Sequence, residues 1–139
     1  MLPLFHLAFP VMDLETTRAF YEGLLECKVG REDERWVDFD FGRHQITAHL
    51  NPEECRSVET NGGVCHVVPV RHFGLILEWD QWHALAEKLV AAEIDFIIEP
   101  YVRFKGQPGE QATMFFLDPS GNALEFKSFR DPSAVFAKS

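Results

Sequence analysis

The sequence predicts an α+β fold built from two consecutive β-α-β-β-β modules in a single domain spanning residues 1–139. Three observations carry this. A short apolar strand followed by a helix with one apolar face occurs twice, starting at residues 4 and 70. Each occurrence leads into segments that read as half-buried strands. Between them lies "NPEECRSVETNGGVC" (51–65), polar, Gly-containing and without period, which reads as a linker between modules of about 1–50 and 66–130. Laying "FHLAF" on "HFGLI" superposes His6 on His72, as repetition of one supersecondary unit would, and two such units packed to close one site are expected.

In the first module, "LFHLAFPV" (4–11) is a short apolar run suited to a buried strand. Asp13 is a plausible N-cap, with Glu15 in the first turn. The helix that follows puts Thr17, Phe20, Tyr21 and Leu24 at i, i+3, i+4 and i+7, a single face. A short strand near Cys27–Arg31 and strands at 35–41 and 44–50 complete the module, the last two joined by Gly42-Arg43.

The second module opens with the strand "VRHFGLIL" (70–77), and Asp80 is expected to cap a helix presenting Trp82, Leu85, Ala86 and Leu89. Strands are expected at 95–100, 110–117 and 122–129. "VRFKGQPGEQ" (102–111) reads as a charged Gly/Pro loop carrying Arg103 and Lys105, with contact to an anionic substrate as its functional reading. Asp118-Pro119-Ser120-Gly121 suits a type I turn between the last two strands.

Length and composition are those of one soluble globular domain, since 139 residues suffice to bury roughly two-thirds of the unfolded surface. A net charge of −9 argues against nucleic acid or an anionic membrane as partner, because both need a basic face. Cys27, Cys55 and Cys65 are odd in number and lack metal-finger spacing, so a reducing cytoplasm is expected, and none has the basic surroundings of a nucleophile. The N-terminal stretch has no basic n-region and does not read as a signal peptide.

Strand parity groups Leu4, His6 and Ala8 on one face, His72, Gly74 and Ile76 on another, and Ala123, Glu125 and Lys127 on a third. The opposite faces carry the bulky apolar residues expected to pack on the helices. Two imidazoles and one carboxylate are the composition of a 2-His-1-carboxylate site, which suits Fe(II) with open positions. A histidine in an apolar strand can equally be a hydrogen-bonded core residue, and Glu125 can point out at a sheet rim. Spacing leaves both open, because the three residues are far apart in the chain. His44 and His66 read as exposed or turn residues, and His83 falls on the polar side of the second helix.

"FHLAFPVMDLETTRAFYEGLL", "HFGLIL" and "FFLDPSGNALEF" resemble the vicinal oxygen chelate superfamily of glyoxalases, bleomycin-resistance proteins and extradiol dioxygenases. The resemblance implies paired βαβββ modules forming a half-open barrel around a divalent metal held by His6, His72 and Glu125. Fe(II) is the expected metal, with Mn(II), Zn(II) and Ni(II) as alternatives. Thr47 aligns with Glu125, where glyoxalase I and methylmalonyl-CoA epimerase have an acidic or amide side chain. It therefore favours a three-ligand, extradiol-type site on a small substrate that chelates through adjacent oxygens. His49 is expected as the general acid/base, with Gln45, Thr47 and Arg103 binding substrate. The tyrosine that extradiol enzymes place ahead of the ligating Glu is replaced by Phe115 and Phe116, and Tyr101, expected in a loop, is the nearest substitute. A Mn-dependent thiol transferase, a glyoxalase-type lyase or isomerase and a bleomycin-type binding protein are the alternatives. A homodimer is expected by the same resemblance.

Overall fold

A computed structural model describes residues 2–55 and 68–138. Within them the chain packs as two compact units, one of residues 2–55 with the turn 118–122, the other of 68–117 with 123–138. The linker beyond residue 55, with Cys65 and His66, lies outside the described residues.

The first unit comprises β1 (His6–Val11), α1 (Leu14–Arg18), β2 (Lys28–Glu32), β3 (Trp36–Phe41) and β4 (His44–Leu50). Its sheet has the order β1-β4-β3-β2, with β1 parallel to β4 and the other pairs antiparallel. Asp13 caps α1 as expected, accepting from the Thr16 N–H at 2.8 Å. The helix does not continue in α form: Ala19–Leu24 is a π-helical turn, closed by Leu25 N–H donating to the Phe20 carbonyl. Neighbouring Phe20 and Tyr21 are both buried, and Tyr21 lies against the rings of Phe9 and Phe39.

The second unit comprises α2 (Trp79–Ala91), β5 (Phe96–Arg103), β6 (Gln111–Leu117) and β7 (Ala123–Phe129). Its sheet has the order β5-β6-β7. The strand expected over 70–77 is shorter: residues 73–77 run parallel to the outer side of β7, bonded through Phe73, Leu75 and Leu77 to Ala123, Glu125 and Lys127. This edge segment stands to β7 as β1 stands to β4, so the repeat seen in the sequence exists as topology. α2 starts before Asp80; Glu78 takes the N-cap position without a side-chain bond, and Asp80 lies in the first turn, where its charge suits the helix dipole. Trp82, Ala86 and Leu89 are buried as the periodicity requires, and the Trp82 indole N–H donates to the Phe126 carbonyl at 2.8 Å. A short 3-10 helix, Pro132–Phe136, follows β7 without a counterpart in the sequence pattern. Among the described residues no helix is long and apolar enough to cross a membrane.

Candidate functional site

β7 alternates as its sequence requires. Leu124, Phe126 and Ser128 are buried, while Glu125 and Lys127 are half-buried on the other face, with Phe115 opposite Glu125 and Thr113 opposite Lys127. The edge segment brings His72 to this face. Its close approach depends on Gly74, where a Cβ would overlap the Glu125 backbone carbonyl. His72 Nε2 then lies 3.4 Å from Glu125 Oε1, and the ring stands edge-on to Phe115.

The other atoms of both groups are engaged. His72 Nδ1 is 2.8 Å from the Pro69 carbonyl. A carbonyl only accepts, so Nδ1 carries a proton, and in the neutral ring Nε2 bears the lone pair. Glu125 Oε2 accepts from the Thr113 hydroxyl at 2.7 Å, which leaves Oε1 as the oxygen facing His72. Lys127 Nζ is 3.8 Å from the same Oε1. Strand parity does not single out Thr113; its one signal in the sequence is a lone hydroxyl residue in the otherwise apolar "ATMFFL".

Tyr101 and Arg103 are not in a loop. β5 runs to Arg103, so Tyr101 pairs with Thr113 and Arg103 with Gln111, and the connecting loop shortens to 104–110. Eight residues of strand form here because Tyr-Val continue the β-favouring run past Pro100. Arg103 is exposed and its guanidinium lies over the Phe104 ring.

In the first unit, His6, Ala8 and Pro10 pair with Gln45, Thr47 and His49, which places the predicted residues of β1 and β4 on one sheet face. His6, Gln45 and His49 are exposed, while Thr47 is buried. The reason is Asp38 on β3, 8% exposed, a residue the motifs do not single out. Its Oδ1 accepts from the Thr47 hydroxyl at 2.5 Å and its Oδ2 from the Gln45 amide at 3.2 Å. A signal for it exists, since Asp38 interrupts the apolar run "WVDFDF" at the parity of Trp36. β2 bulges opposite this pair, and Gly30 packs against Asp38. His49 lines a cleft of about 370 Å³ with Ala8, Pro10, Arg35, Asn51 and Glu54. Within neither unit are three His, Cys, Asp or Glu side chains gathered among the described residues; His72 and Glu125 are brought together in one unit, and His6 belongs to the other.

The remaining histidines among the described residues, His44 and His83, are accounted for locally. His44 Nδ1 accepts from the Phe5 N–H, and His83, half-buried rather than on a purely polar side, packs against Trp79 and Trp82. Burial pushes the Cys27 thiol up to about 12, which leaves it inert. The turn at 118–122 is an anchor: Asp118 accepts from the backbone N–H groups of Ser120 and Asn122, the Asn122 amide and the Tyr21 hydroxyl. Burial raises the Asp118 carboxyl pKa, and those hydrogen bonds oppose the rise.

A sequence profile described as Glyoxalase/Bleomycin resistance protein/Dioxygenase superfamily matches residues 4–126. A glyoxalase/bleomycin resistance protein/dioxygenase from Alicyclobacillus acidocaldarius is 32% identical, with 96% of each chain covered and a TM-score of 0.77. The fold is also similar to the fosfomycin resistance protein FosX of Listeria monocytogenes, at 15% identity, a TM-score of 0.68, and 92% and 93% of the two chains. It is similar to lactoylglutathione lyase of Agrobacterium tumefaciens at 18% identity, a TM-score of 0.62, and 91% and 92% of the two chains. No curated protein sequence matches the chain. By its sequence across nearly its whole length, and by the repeated strand order of its two units, this chain belongs to the glyoxalase/bleomycin resistance protein/dioxygenase superfamily.

Proposed function

We propose that this chain is a divalent-metal-dependent enzyme, with His6, His72 and Glu125 as ligands, acting on a small molecule that presents two adjacent oxygens. The observation that carries this reading is the approach of the His72 Nε2 lone pair to Glu125 Oε1 at 3.4 Å. With the ring neutral, two acceptors face each other there, and a cation held by both would replace that repulsion with attraction. Imidazole and carboxylate are a donor pair suited to Fe(II), Mn(II) and Zn(II). The Pro69 carbonyl and the Thr113 hydroxyl hold the outer atoms of the two ligands, as orienting partners do around metals. His6 enters the proposal as third ligand on the sequence pattern.

Within the superfamily we favour extradiol-type ring cleavage with Fe(II). Thr47 is engaged by Asp38 and is a poor ligand, so three protein ligands leave positions open for a chelating substrate. Tyr101, in register with Thr113, brings a phenol to the sheet face that carries Glu125. A bound divalent metal would supply the positive charge that stabilises a chelated dianion. His49 takes the substrate's proton, Gln45 and Thr47 offer acceptors, and Arg103 contacts the substrate from the end of β5. The alternatives are the thiol transferase and lyase reactions that the sequence resemblance implies; a fosfomycin resistance protein and a lactoylglutathione lyase share the fold. We assign the protein to the cytoplasm, on its cysteine usage, and to a homodimer, since exposed Leu4 and Phe5 precede the edge strand β1.

The test is anaerobic loading with Fe(II), followed by oxygen uptake with a panel of catechols, beside the Glu125→Gln variant. Stoichiometric iron and Glu125-dependent uptake are expected. Bound metal without uptake would move the reaction to transfer or lyase chemistry, and full metal stoichiometry in Glu125→Gln would overturn the ligand assignment.

A further inference from the structure

We infer that Lys127 is the residue that selects the substrate: it receives an anionic group carried beside the chelating oxygens. This rests on the metal reading above and deepens it.

The two oxygens of Glu125 are not equivalent. Oε2 is committed to Thr113, so a metal and Lys127 share an interest in Oε1 alone. At 3.8 Å the ammonium is paired with that oxygen by charge and is beyond hydrogen-bond range. With a divalent cation held at Oε1 the carboxylate's charge would be taken up, and the Lys127 ammonium would be left for another anion. Its backbone cannot follow, because its N–H and carbonyl are bonded to Leu75 and Leu77 of the edge segment. The side chain is 42% exposed and its four-carbon stem can swing.

The sheet fixes where that anion lies. Ile98, Phe115 and Glu125 form one row across β5, β6 and β7, and Tyr101, Thr113 and Lys127 form the next. The rows are about 7 Å apart along the strands. A chelator held at His72 and Glu125 has the Lys127 row beside it, and a substituent extending along the sheet meets the ammonium. Arg103 lies a further row away with its guanidinium over Phe104, so it is the poorer candidate for this contact. A chain of net charge −9 has no overall field drawing anions in, so a local cation beside the ligands has to supply the selection. The substrate class is therefore an anionic chelator, such as a catechol bearing a carboxylate para to one hydroxyl.

The test uses two measurements of opposite expected sign. Wild type, Lys127→Met and Lys127→Arg are titrated calorimetrically with Mn(II), then, Mn(II)-loaded, with catechol and with 3,4-dihydroxybenzoate. Lys127→Met should bind Mn(II) about threefold to tenfold more tightly, because a nearby positive charge is gone. It should lose the wild-type preference for dihydroxybenzoate over catechol, and Lys127→Arg should restore that preference. Damage to the fold would weaken both. Unchanged or weaker Mn(II) binding in Lys127→Met overturns the place assigned to Lys127. Tighter Mn(II) binding with the preference intact overturns its role as anion receiver. Metal binding with neither ring taken up overturns selection of a catechol-like anion, and a wild type that binds no Mn(II) overturns the metal reading itself.

Discussion

Among the described residues each unit of this protein has a threonine hydroxyl donating to a carboxylate across adjacent strands, and the two pairs have opposite consequences. In the first unit the carboxylate is Asp38 on β3 and the hydroxyl is Thr47 on β4, directly opposite in register. Gln45 takes the second oxygen, and the group is buried with both oxygens satisfied. In the second unit the roles of the strands are exchanged: Thr113 on β6 donates to Glu125 on β7, one row away. The longer side chain reaches its partner with one oxygen and presents the other to His72 and Lys127. A carboxylate with both oxygens bonded inside its sheet is structural, whereas the one with an oxygen left toward an imidazole is the metal ligand proposed above.

The largest break of this contrast is Gly74→Val. The new side chain meets the Glu125 backbone, so the edge segment must move, at a cost of about 3 kcal/mol by the measure of overpacked sites. Chemical denaturation should show that loss, and metal titration should show His72 and Glu125 no longer acting together. Asp38→Ala should cost about 2 kcal/mol, because the Thr47 hydroxyl is left buried without its acceptor. Its metal stoichiometry should stay at the wild-type value, which would mark Asp38 as structural. Thr113→Val removes the orienting hydroxyl while keeping shape, and should lower metal affinity by about tenfold with little change in melting temperature.

Smaller effects sharpen the description of the two sheets. Ser128 on the buried face of β7 has a hydroxyl without a hydrogen-bond partner, so Ser128→Ala should stabilise by about 1 kcal/mol in the same denaturation assay. Cys27 should resist alkylation of the native protein at pH 8, read by mass spectrometry of its peptide. Its thiol ordinarily titrates near 9.0 and is pushed up to about 12 in the fold. The proton is thus bound more firmly in the folded state, so this contribution to stability is full below pH 9 and is lost as pH rises toward 12. Cys27→Ala should flatten that part of the stability profile.

Much of the strand pattern is legible in the sequence. β4 matches its expected bounds at His44–Leu50, and the parity of β1 and β7 correctly separates His6 and Glu125 from the core faces. Period 2 is a local property of a strand and survives whatever packs on it. The misses fall where local rules compete with longer-range pairing. The first helix widens into a π turn at Ala19–Leu24, and the 70–77 strand shrinks to an edge segment held by β7. Tyr101 and Arg103 belong to a strand rather than a loop because β6 supplies a partner for them.

The sequence alone determined the family, the duplicated strand-helix-strand order and the residue types available for chemistry, because these rest on local period and on motif identity. Tertiary structure decided which of those residues face one another. Only register places Thr113 within reach of Glu125, only the missing Cβ of Gly74 lets His72 approach it, and only the Pro69 carbonyl sets which nitrogen of His72 bears the lone pair. Each is a relation between atoms distant along the chain or across strands, set by hydrogen bonds that close when the sheet forms.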